Sequence, residues 1–401
     1  MVLGLLLARA GVEVVVLEKH GDFLRDFRGD TVHPSTLQLL DELGLGERFA
    51  GLAYTRLDRV AFPVDVDRTV VVADFRTLHV PHPYVAMVPQ WDLLNLLAEA
   101  AAEEPSFTLR MRTEVTDLLV GRRRVSGVRY RTAEGLTGEI RADLVVACDG
   151  RTSIARRQHD LRIKEYRVPI DAWWFRLPRR PEDNPSGLTP RAAPGRFAVV
   201  IPRVDFLQIA YIGRKGTDEA LRARGLESFR RDVAELMPEA ADRLQDLRSL
   251  DDVKHLDVRL NRLTRWHLDG LLCIGDAAHA MSPVGGVGIN LAVQDAVAAA
   301  RLLADPLLHR DVTPGRLRGV RRRRLAATVL IQSLQRVLHR AVVVPILEGR
   351  RQGPPRPLLS LLQRVPRVTT ATAYLIGVGP RPEHAPDFAV RAAREPRRHQ
   401  S

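Results

Sequence analysis

Continuous apolar runs and stretches of helical spacing follow one another along this chain. Leu144–Cys148 and Leu271–Ile274 are apolar throughout, and Val12–Leu17 is apolar except for Glu13, which is typical of strands buried on both faces. Met1–Ala10 has helical spacing and Gly11 ends it, so this helix directly precedes the first of these strands. The pattern predicts an α/β fold with a parallel sheet.

Other segments alternate apolar and polar residues instead. Leu57–Val80 predicts a pair of antiparallel strands, and three later runs predict further strands of a second lobe: Tyr166–Pro178, Gly195–Pro202 and Phe206–Gly213. Leu302–Leu347 is predicted to be helical, and another helix is predicted through about Ile376. The last 20 or so residues are rich in Arg, Pro and His, and we expect them to be frayed.

The stretch Leu271–Ala296 carries the strongest chemical signal. An apolar strand is broken by Gly275-Asp276, and Pro283 with three glycines then forms a turn poor in side chains before a helix. Glycines let the backbone approach a flat ligand, and the free N–H groups at a helix N-terminus favour negative charge. Asp276, at the end of the strand, can accept hydrogen bonds from sugar-like hydroxyls.

This stretch resembles the second flavin motif of the group A FAD-dependent monooxygenases, the para-hydroxybenzoate hydroxylase-like family. The resemblance implies a Rossmann-like FAD lobe with a parallel sheet, a substrate lobe with a mostly antiparallel sheet, and C-terminal helices. It implies cofactor contacts from the matched positions Gly275, Asp276, Pro283, Gly286, Val287, Gly288, Ile289 and Asn290. Pro283 would lie near the reacting edge of the flavin, and His279 would be structural.

Three earlier stretches match the family in the expected order. The stretch that begins at Arg28 resembles the family's arginine loop, where Arg28 would meet the phosphates or the ribityl chain of the flavin cofactor. Glu18 ends a strand, where a carboxylate takes the ribose hydroxyls of adenosine. The segment from Asp149 to Arg156 resembles the motif D-G-x-x-S-x-x-R, thought to serve both FAD and the nicotinamide cofactor. The implied contacts from these stretches and from the start of the helix at Gln90 are Glu18, Arg28, Gln90, Asp149, Gly150 and Arg156.

The resemblance also implies a first strand and a G-x-G-x-x-G turn before the helix at Met1–Ala10. By the usual size of a βαβ unit, they would lie about 15 to 20 residues upstream of Met1. The sequence therefore leads us to expect an N-terminally truncated FAD lobe. One hypothesis is that the chain is a non-enzymatic remnant unable to hold FAD.

The implied division of the chain is discontinuous. We expect an FAD lobe from 1–53, 87–160 and 259–305, a substrate lobe from 54–86 and 161–258, and a C-terminal helical region from 306–401 with a frayed tail. Trp173 and Phe175 lie on one aromatic strand of the substrate lobe. They are the candidates for lining a substrate pocket.

Composition narrows the function classes. The net charge is +13, but only four of the 61 basic residues are lysine, and the densest arginine runs have no aromatic neighbours. This pattern disfavours nucleic-acid binding and looks like the coding bias of a GC-rich genome. The two cysteines lie in apolar runs and are expected to be buried thiols of a reducing compartment. The apolar Leu325–Leu347 is interrupted by polar residues, so we expect no membrane span and a cytoplasmic protein.

The sequence contains no HExxH, CxxC or P-loop motif and no convincing catalytic triad or metal site. A cofactor must then supply the chemistry. In the resembled family, NAD(P)H-reduced flavin and O₂ give a C4a-hydroperoxide, which hydroxylates an aromatic or polyketide-like small molecule. Another redox activity of the same fold, a reductase or a halogenase, stays open, although Asp171-Ala-Trp-Trp-Phe does not match the halogenase motif G-W-x-W-x-I-P. The sequence does not indicate an oligomeric state.

Overall fold

The computed structural model describes most of the chain. It covers residues 1–24, 31–65, 68–121, 123–159, 161–181, 183, 188–193, 195–351 and 353–392.

The elements up to residue 141 are α1 (Val2–Arg9), β1 (Val14–Leu17), β2 (Thr31–Val32), α2 (Pro34–Glu42), α3 (Gly46–Ala50), β3 (Thr55–Leu57), β4 (Arg59–Asp65), β5 (Arg68–Asp74), β6 (Val85–Met87), α4 (Gln90–Ala102), β7 (Phe107–Arg110), β8 (Thr113–Gly121), β9 (Arg124–Thr132) and β10 (Thr137–Arg141). The elements from 145 to 268 are β11 (Val145–Ala147), α5 (Ile154–Gln158), β12 (Ile163–Tyr166), β13 (Ile170–Pro178), β14 (Thr189–Ala193), β15 (Arg196–Pro202), β16 (Phe206–Arg214), α6 (Asp218–Ala223), α7 (Leu226–Leu236), β17 (Lys254–Leu256), β18 (Leu260–Leu263) and β19 (His267–Leu268). The last elements are β20 (Leu271–Cys273), β21 (His279–Ala280), α8 (Gly288–Leu308), α9 (Pro314–Leu338), α10 (Val344–Leu347), α11 (Arg356–Arg364) and α12 (Pro366–Gly377).

The parallel pairs lie in the first lobe, as the apolar runs predict. β1 pairs with β7, and β11 pairs with β20. α1 packs against both α4 and α8, and its Leu5 and Leu6 are fully buried. A Cβ on Gly4 would lie 2.9 Å from the Phe107 ring, so glycine lets α1 approach β7 closely.

An antiparallel meander decorates this lobe in the order β10-β9-β8. Arg112 has a φ of +52°, and this left-handed residue separates β7 from β8. β7 and β8 therefore belong to different sheets, although they are close neighbours in sequence.

The second lobe is built on a five-stranded antiparallel sheet in the order β14-β15-β16-β13-β17. β13 and β16 pair along nine residues each. One face of this sheet packs against α7 and a 3₁₀ helix at Pro238–Asp246, and the other faces the interior between the lobes. The α/β class, the antiparallel second sheet and the C-terminal helices confirm the predicted fold class, while the exact boundaries of the lobes stay a prediction.

The C-terminal segment differs from its prediction. Residues 378–391 are packed on the first lobe instead of being frayed. Of the tail, residues 393–401 lie outside the described residues. Glu383 is buried and accepts a hydrogen bond from Arg323 at 2.7 Å. The backbone N–H of Arg391 donates to the carbonyl of Glu42. The side chain of Arg9 donates to the carbonyl of Ala389 at 2.9 Å. The prediction of a frayed tail rested on composition, and composition does not show that these residues have specific hydrogen-bond and ion-pair partners in the first lobe and α9.

By length and composition, one helical segment among the described residues, Pro314–Leu347, could cross a membrane. In its most apolar stretch of 18 residues, 39% of the residues are buried inside the protein. The segment also places five buried polar side chains against the rest of the protein: Arg324, Thr328, Gln332, Gln335 and His339. This arrangement is that of a helix packed within a folded protein.

Candidate functional site

A cavity of about 750 Å³ lies between the two lobes. The first lobe contributes the starts of α1, α4 and α8 and the segment Met281–Gly286. The second lobe contributes the inner face of its five-stranded sheet together with β4 and β5. Most of the lining is apolar, so the cavity suits a largely apolar ligand with a few oriented polar groups.

The turn after β20 places two predicted residues at the cavity. Gly275 has a φ of +57°, and a Cβ there would lie 3.0 Å from the Cβ of Ala292. Glycine therefore lets the turn pack against α8. Gly275 and Asp276 both line the cavity.

The N-terminus of α8 also opens on the cavity. Gly286, Gly288 and Ile289 line it, and Val287, at the N-cap position, offers no side-chain acceptor for the free N–H groups. The first turn carries no acidic residue. Uncapped N–H groups and the positive end of a 21-residue helix would stabilise an electron-rich edge of a bound ligand.

A buried ionic network lies behind this turn. The side chain of Asp295 is fully buried. Its Oδ2 lies 2.6 Å from His279 Nε2 and accepts a hydrogen bond from the Gly275 N–H at 3.1 Å. Its Oδ1 accepts a hydrogen bond from Arg324. Burial alone would raise the pKa of Asp295, but His279, Arg324 and the Gly275 N–H hold that pKa below its usual value. The network ties β20, the turn and α9 to α8. This contact gives His279 a structural setting.

The predicted cofactor residues at Gln90 and in the stretch Gly275–Asn290 divide into two groups. Those on the cavity wall are Gln90, Gly275, Asp276, Pro283, Gly286, Gly288 and Ile289. Val287 and Asn290 point elsewhere: Val287 packs with Ile331 of α9, and Asn290 Oδ1 accepts hydrogen bonds from Ser35 and Thr36, both at 2.9 Å. These two side chains therefore anchor the start of α8.

The Asp149–Arg156 segment is folded as a turn followed by α5. Asp149 Oδ2 accepts from the Ile154 N–H at 2.7 Å, and Gly150 has a φ of +79° with open space beside it. Arg156 is buried and donates to Asn261 Oδ1 at 2.8 Å and to the carbonyl of Asp276 at 3.2 Å. Arg156 thus joins this segment to the Gly275-Asp276 turn, while the neighbouring Arg151 reaches the cavity wall.

The structure does not place the two remaining predicted contacts, Glu18 and Arg28, on the cavity wall. Glu18 directly follows β1, and its Oε1 accepts from the His20 N–H at 2.9 Å. It is not among the cavity-lining residues. Arg28 lies outside the described residues.

The aromatic pair proposed for the pocket is corrected by the structure. Trp173 and Phe175 are fully buried on the outer face of β13, where they pack with Phe229 of α7. Trp174, between them, faces the cavity. Because side chains alternate along a strand, the two predicted residues share the face that the helices cover.

Several cavity residues had no signal in the sequence. His33 is buried directly before α2, Ser282 precedes Pro283, and Arg203 bonds Gln208 at 2.9 Å on the wall of the second lobe. Cys148 is exposed at the cavity instead of being buried, whereas Cys273 is buried as expected. Single His, Ser or Arg residues form no spacing pattern, so only the fold brings them together.

Acid is expected to destabilise the protein through two buried histidines. Burial lowers the pKa of His33 and of His339 from 6.5 to about 4. Between these values the unfolded chain binds more protons than the folded chain, so stability falls as pH falls. The expected loss from pH 7 to pH 5 is about 2 kcal/mol per histidine, measured by denaturant unfolding. His339→Gln should remove its share of this pH dependence; an unchanged profile in the variant would contradict the assignment.

Comparison with known proteins agrees with this geometry. The FAD binding domain family matches residues 1–327. The chain is 33% identical over 372 residues to 6-methylpretetramide 4-monooxygenase from Streptomyces rimosus, covering 90% of this chain and 85% of that protein.

Solved structures show the same fold. The anhydrotetracycline hydroxylase OxyS from Streptomyces rimosus superposes with a TM-score of 0.73 at 24% identity, covering 94% of this chain and 73% of that one. PqsL from Pseudomonas aeruginosa, in complex with 2-aminobenzoylacetate, has a TM-score of 0.71 at 20% identity, covering 91% of this chain and 96% of that one.

The cavity residues fit FAD. The uncapped N-terminus of α8 offers N–H donors to the polar edge of a flavin, and Gly286 and Gly288 bring the backbone to the wall without a side chain. The family match confirms the predicted cofactor. The chain belongs to the FAD binding domain family and is an FAD-dependent monooxygenase.

Proposed function

We propose that this protein uses NAD(P)H and O₂ to hydroxylate an aromatic or polyketide-like small molecule. The observation that carries the proposal is the continuity of one cavity, which runs from the glycine-rich start of α8 to the apolar sheet of the second lobe. A flavin at the first end would meet a substrate at the second. The relatives named for a pretetramide and an anhydrotetracycline support a polycyclic substrate.

The residues of the first lobe have distinct tasks in this proposal. The N–H groups of α8 would stabilise negative charge on the pyrimidine edge of the reduced flavin. Pro283 and its neighbours would exclude water from the reacting edge. FAD, when bound, supplies the activation of O₂ and the transfer of one oxygen atom to the substrate.

The second lobe supports the size and polarity of the substrate. Phe62 and Phe197 stack with ring centroids 6.1 Å apart, and Trp174 lies on the same wall. These surfaces suit a large flat molecule. Arg203, bonded to Gln208, adds positive charge on this wall, which would favour an acidic hydroxyl or enol on the substrate.

The nicotinamide cofactor is proposed to dock transiently on the first lobe. The sequence carries no second dinucleotide-binding fingerprint, and the family resemblance implies this mode of use. Because NAD(P)H is a cytoplasmic reductant, the proposal also places the enzyme in the cytoplasm.

The test supplies FAD, NADH or NADPH and ¹⁸O₂ to the purified protein with a panel of polycyclic phenols. We expect substrate-dependent NAD(P)H oxidation and a product 18 mass units heavier, which contains one ¹⁸O atom. Reduction of a substrate without O₂, or halide-dependent product, would instead establish a reductase or a halogenase. Either result would overturn the proposal.

Two adjacent tryptophans provide a matched test of the substrate wall. Trp173→Ala should lower the free energy of unfolding by about 3 kcal/mol, because it removes a fully buried side chain. Trp174→Ala should cost much less stability but raise the KM of the substrate found in the isotope assay. Thermal unfolding and steady-state kinetics measure the two effects. Equal stability losses with an unchanged KM would contradict the assignment of Trp174 to the pocket.

A further inference from the structure

The helix α9 and the π-helical turn that continues it carry a row of buried polar side chains. Arg324, Thr328, Gln332, Gln335 and His339 are all at most 2% exposed. Their spacing of three or four residues puts them on one face. Buried polar groups are costly unless they are hydrogen-bonded, so the partners of this face indicate what it does.

The partners of Gln335 and His339, and one partner of Gln332, belong to the segment Ala280–Val284, which leads into the glycine turn. Gln335 Nε2 donates to the carbonyls of Ser282 and Val284, both at 2.8 Å, and Gln335 Oε1 accepts from the Ser282 N–H at 3.2 Å. One amide therefore satisfies three backbone groups. Gln332 Nε2 donates to the carbonyls of Ala280 and Asn261.

His339 completes this contact. Its Nε2 lies 2.9 Å from Ser282 Oγ, which also accepts from the Val284 N–H at 3.3 Å. Ser282, Pro283 and Val284 all line the cavity. Gln335 of α9 thus fixes the backbone of the cavity wall, and His339, directly after α9, fixes a side chain of it.

The helix changes its winding at this point. Residues His339–Val343 form a π-helical turn before α10. Single π turns interrupt α-helices frequently at functional sites because they re-aim the following side chains. Here Val342 and Val343, within this turn, line the cavity, although His339 points at Ser282.

We propose that Gln335 and His339 are positioning residues that fix the segment Ser282–Gly286 against the flavin ring. The inference rests on the proposed function and deepens it. Both residues lie beyond residue 327, where the family match ends. A segment supported only by its own glycines would drift, and a displacement of about 1 Å at an active site is enough to impair a reaction.

The first test measures FAD itself. Gln335→Leu and Gln335→Glu both remove the two N–H donors, and each should raise the Kd of FAD about tenfold, in line with the loss of a buried hydrogen bond. The visible circular dichroism of the bound flavin should change as well. Thr328→Val is the matched control: Thr328 is fully buried on the same face, but its hydroxyl donates to the Arg324 carbonyl within α9 itself. The control should keep the Kd within about twofold.

The second test uses rescue. His339→Leu should increase the share of NAD(P)H, O₂ and H⁺ that ends as NAD(P)⁺ and H₂O₂ in place of hydroxylated product. His339→Gln retains a nitrogen near Ser282 Oγ and should restore most of the coupling and the flavin spectrum. If His339 had a merely structural role, both variants would have a lower melting temperature but would not differ in the share of NAD(P)H that ends as H₂O₂.

The outcomes separate cleanly. Wild-type Kd and flavin dichroism in Gln335→Leu, Gln335→Glu and His339→Leu would overturn the inference. Equal changes in Thr328→Val would overturn it too, because they would trace the effect to the stability of α9. The Kd and the dichroism are measured without substrate, so failure to find hydroxylation would count against the proposed function alone.

Discussion

Asp295→Ala is expected to lower the free energy of unfolding by about 3–5 kcal/mol. The carboxylate is fully buried and is shared by His279, Arg324 and the Gly275 N–H. Its removal leaves the buried His279 imidazole without its carboxylate and leaves Glu383 as the remaining carboxylate beside the nearly inaccessible Arg324 guanidinium. Neither buried group can regain water in exchange. Asp295→Asn keeps the volume and some hydrogen bonds, so its loss should be smaller. Denaturant unfolding of the apoprotein measures both values.

Asp305→Ala supplies the control on the same helix. The Asp305 side chain is 80% exposed, so its replacement should change stability by less than about 0.5 kcal/mol. If Asp295→Ala were as mild as this control, the network would be a minor contributor to the fold.

Gly270→Ala is expected to cost about 4 kcal/mol, by adding a left-handed alanine and a steric overlap. Gly270 has a φ of +72°, and a Cβ there would lie 1.9 Å from the carbonyl oxygen of Val125. Its own carbonyl accepts from the Val145 N–H at 2.9 Å. The turn between β19 and β20 would have to move away from β9, and β20 carries the Gly275-Asp276 turn. We therefore expect FAD affinity to fall together with the melting temperature.

Gly135→Ala separates the two contributions. Gly135 also has a positive φ, +86°, but its added Cβ would meet open space. The expected loss is about 1 kcal/mol, the conformational cost alone. A similar loss in both variants would show that the turn at Gly270 relaxes easily.

The parts of the fold that depend on local pattern were predictable from the sequence. A buried strand, a Gly-Asp break and three glycines before a helix can form few structures, and β20, the turn and α8 are found where the pattern places them. The ordering of Asp149 and Asp276 after two adjacent parallel strands follows from the same reasoning. Each of these features depends on residues that are close together in sequence, which is why the sequence alone predicts them.

The direction of side chains in the second lobe was not predictable. Period-2 alternation shows that Trp173 and Phe175 share a face, but both faces of this sheet are covered. Only the packing of α7 decides that Trp174 is the residue at the cavity. The role of Gln335 and His339 was not predictable either, because their hydrogen-bond partner Ser282 lies in a loop more than 50 residues away in sequence.

The packed C-terminal segment has a consequence for biosynthesis. Arg9 bonds the carbonyl of Ala389 across 380 residues of sequence, and Glu383 neutralises arginines beside the α8 network. During translation, Arg323 and Arg324 of α9 must therefore wait for Glu383 before this carboxylate can pair with them. Chain order works against early formation of the flavin site, so a ribosome-bound nascent chain should acquire FAD only after residue 391 has left the exit tunnel.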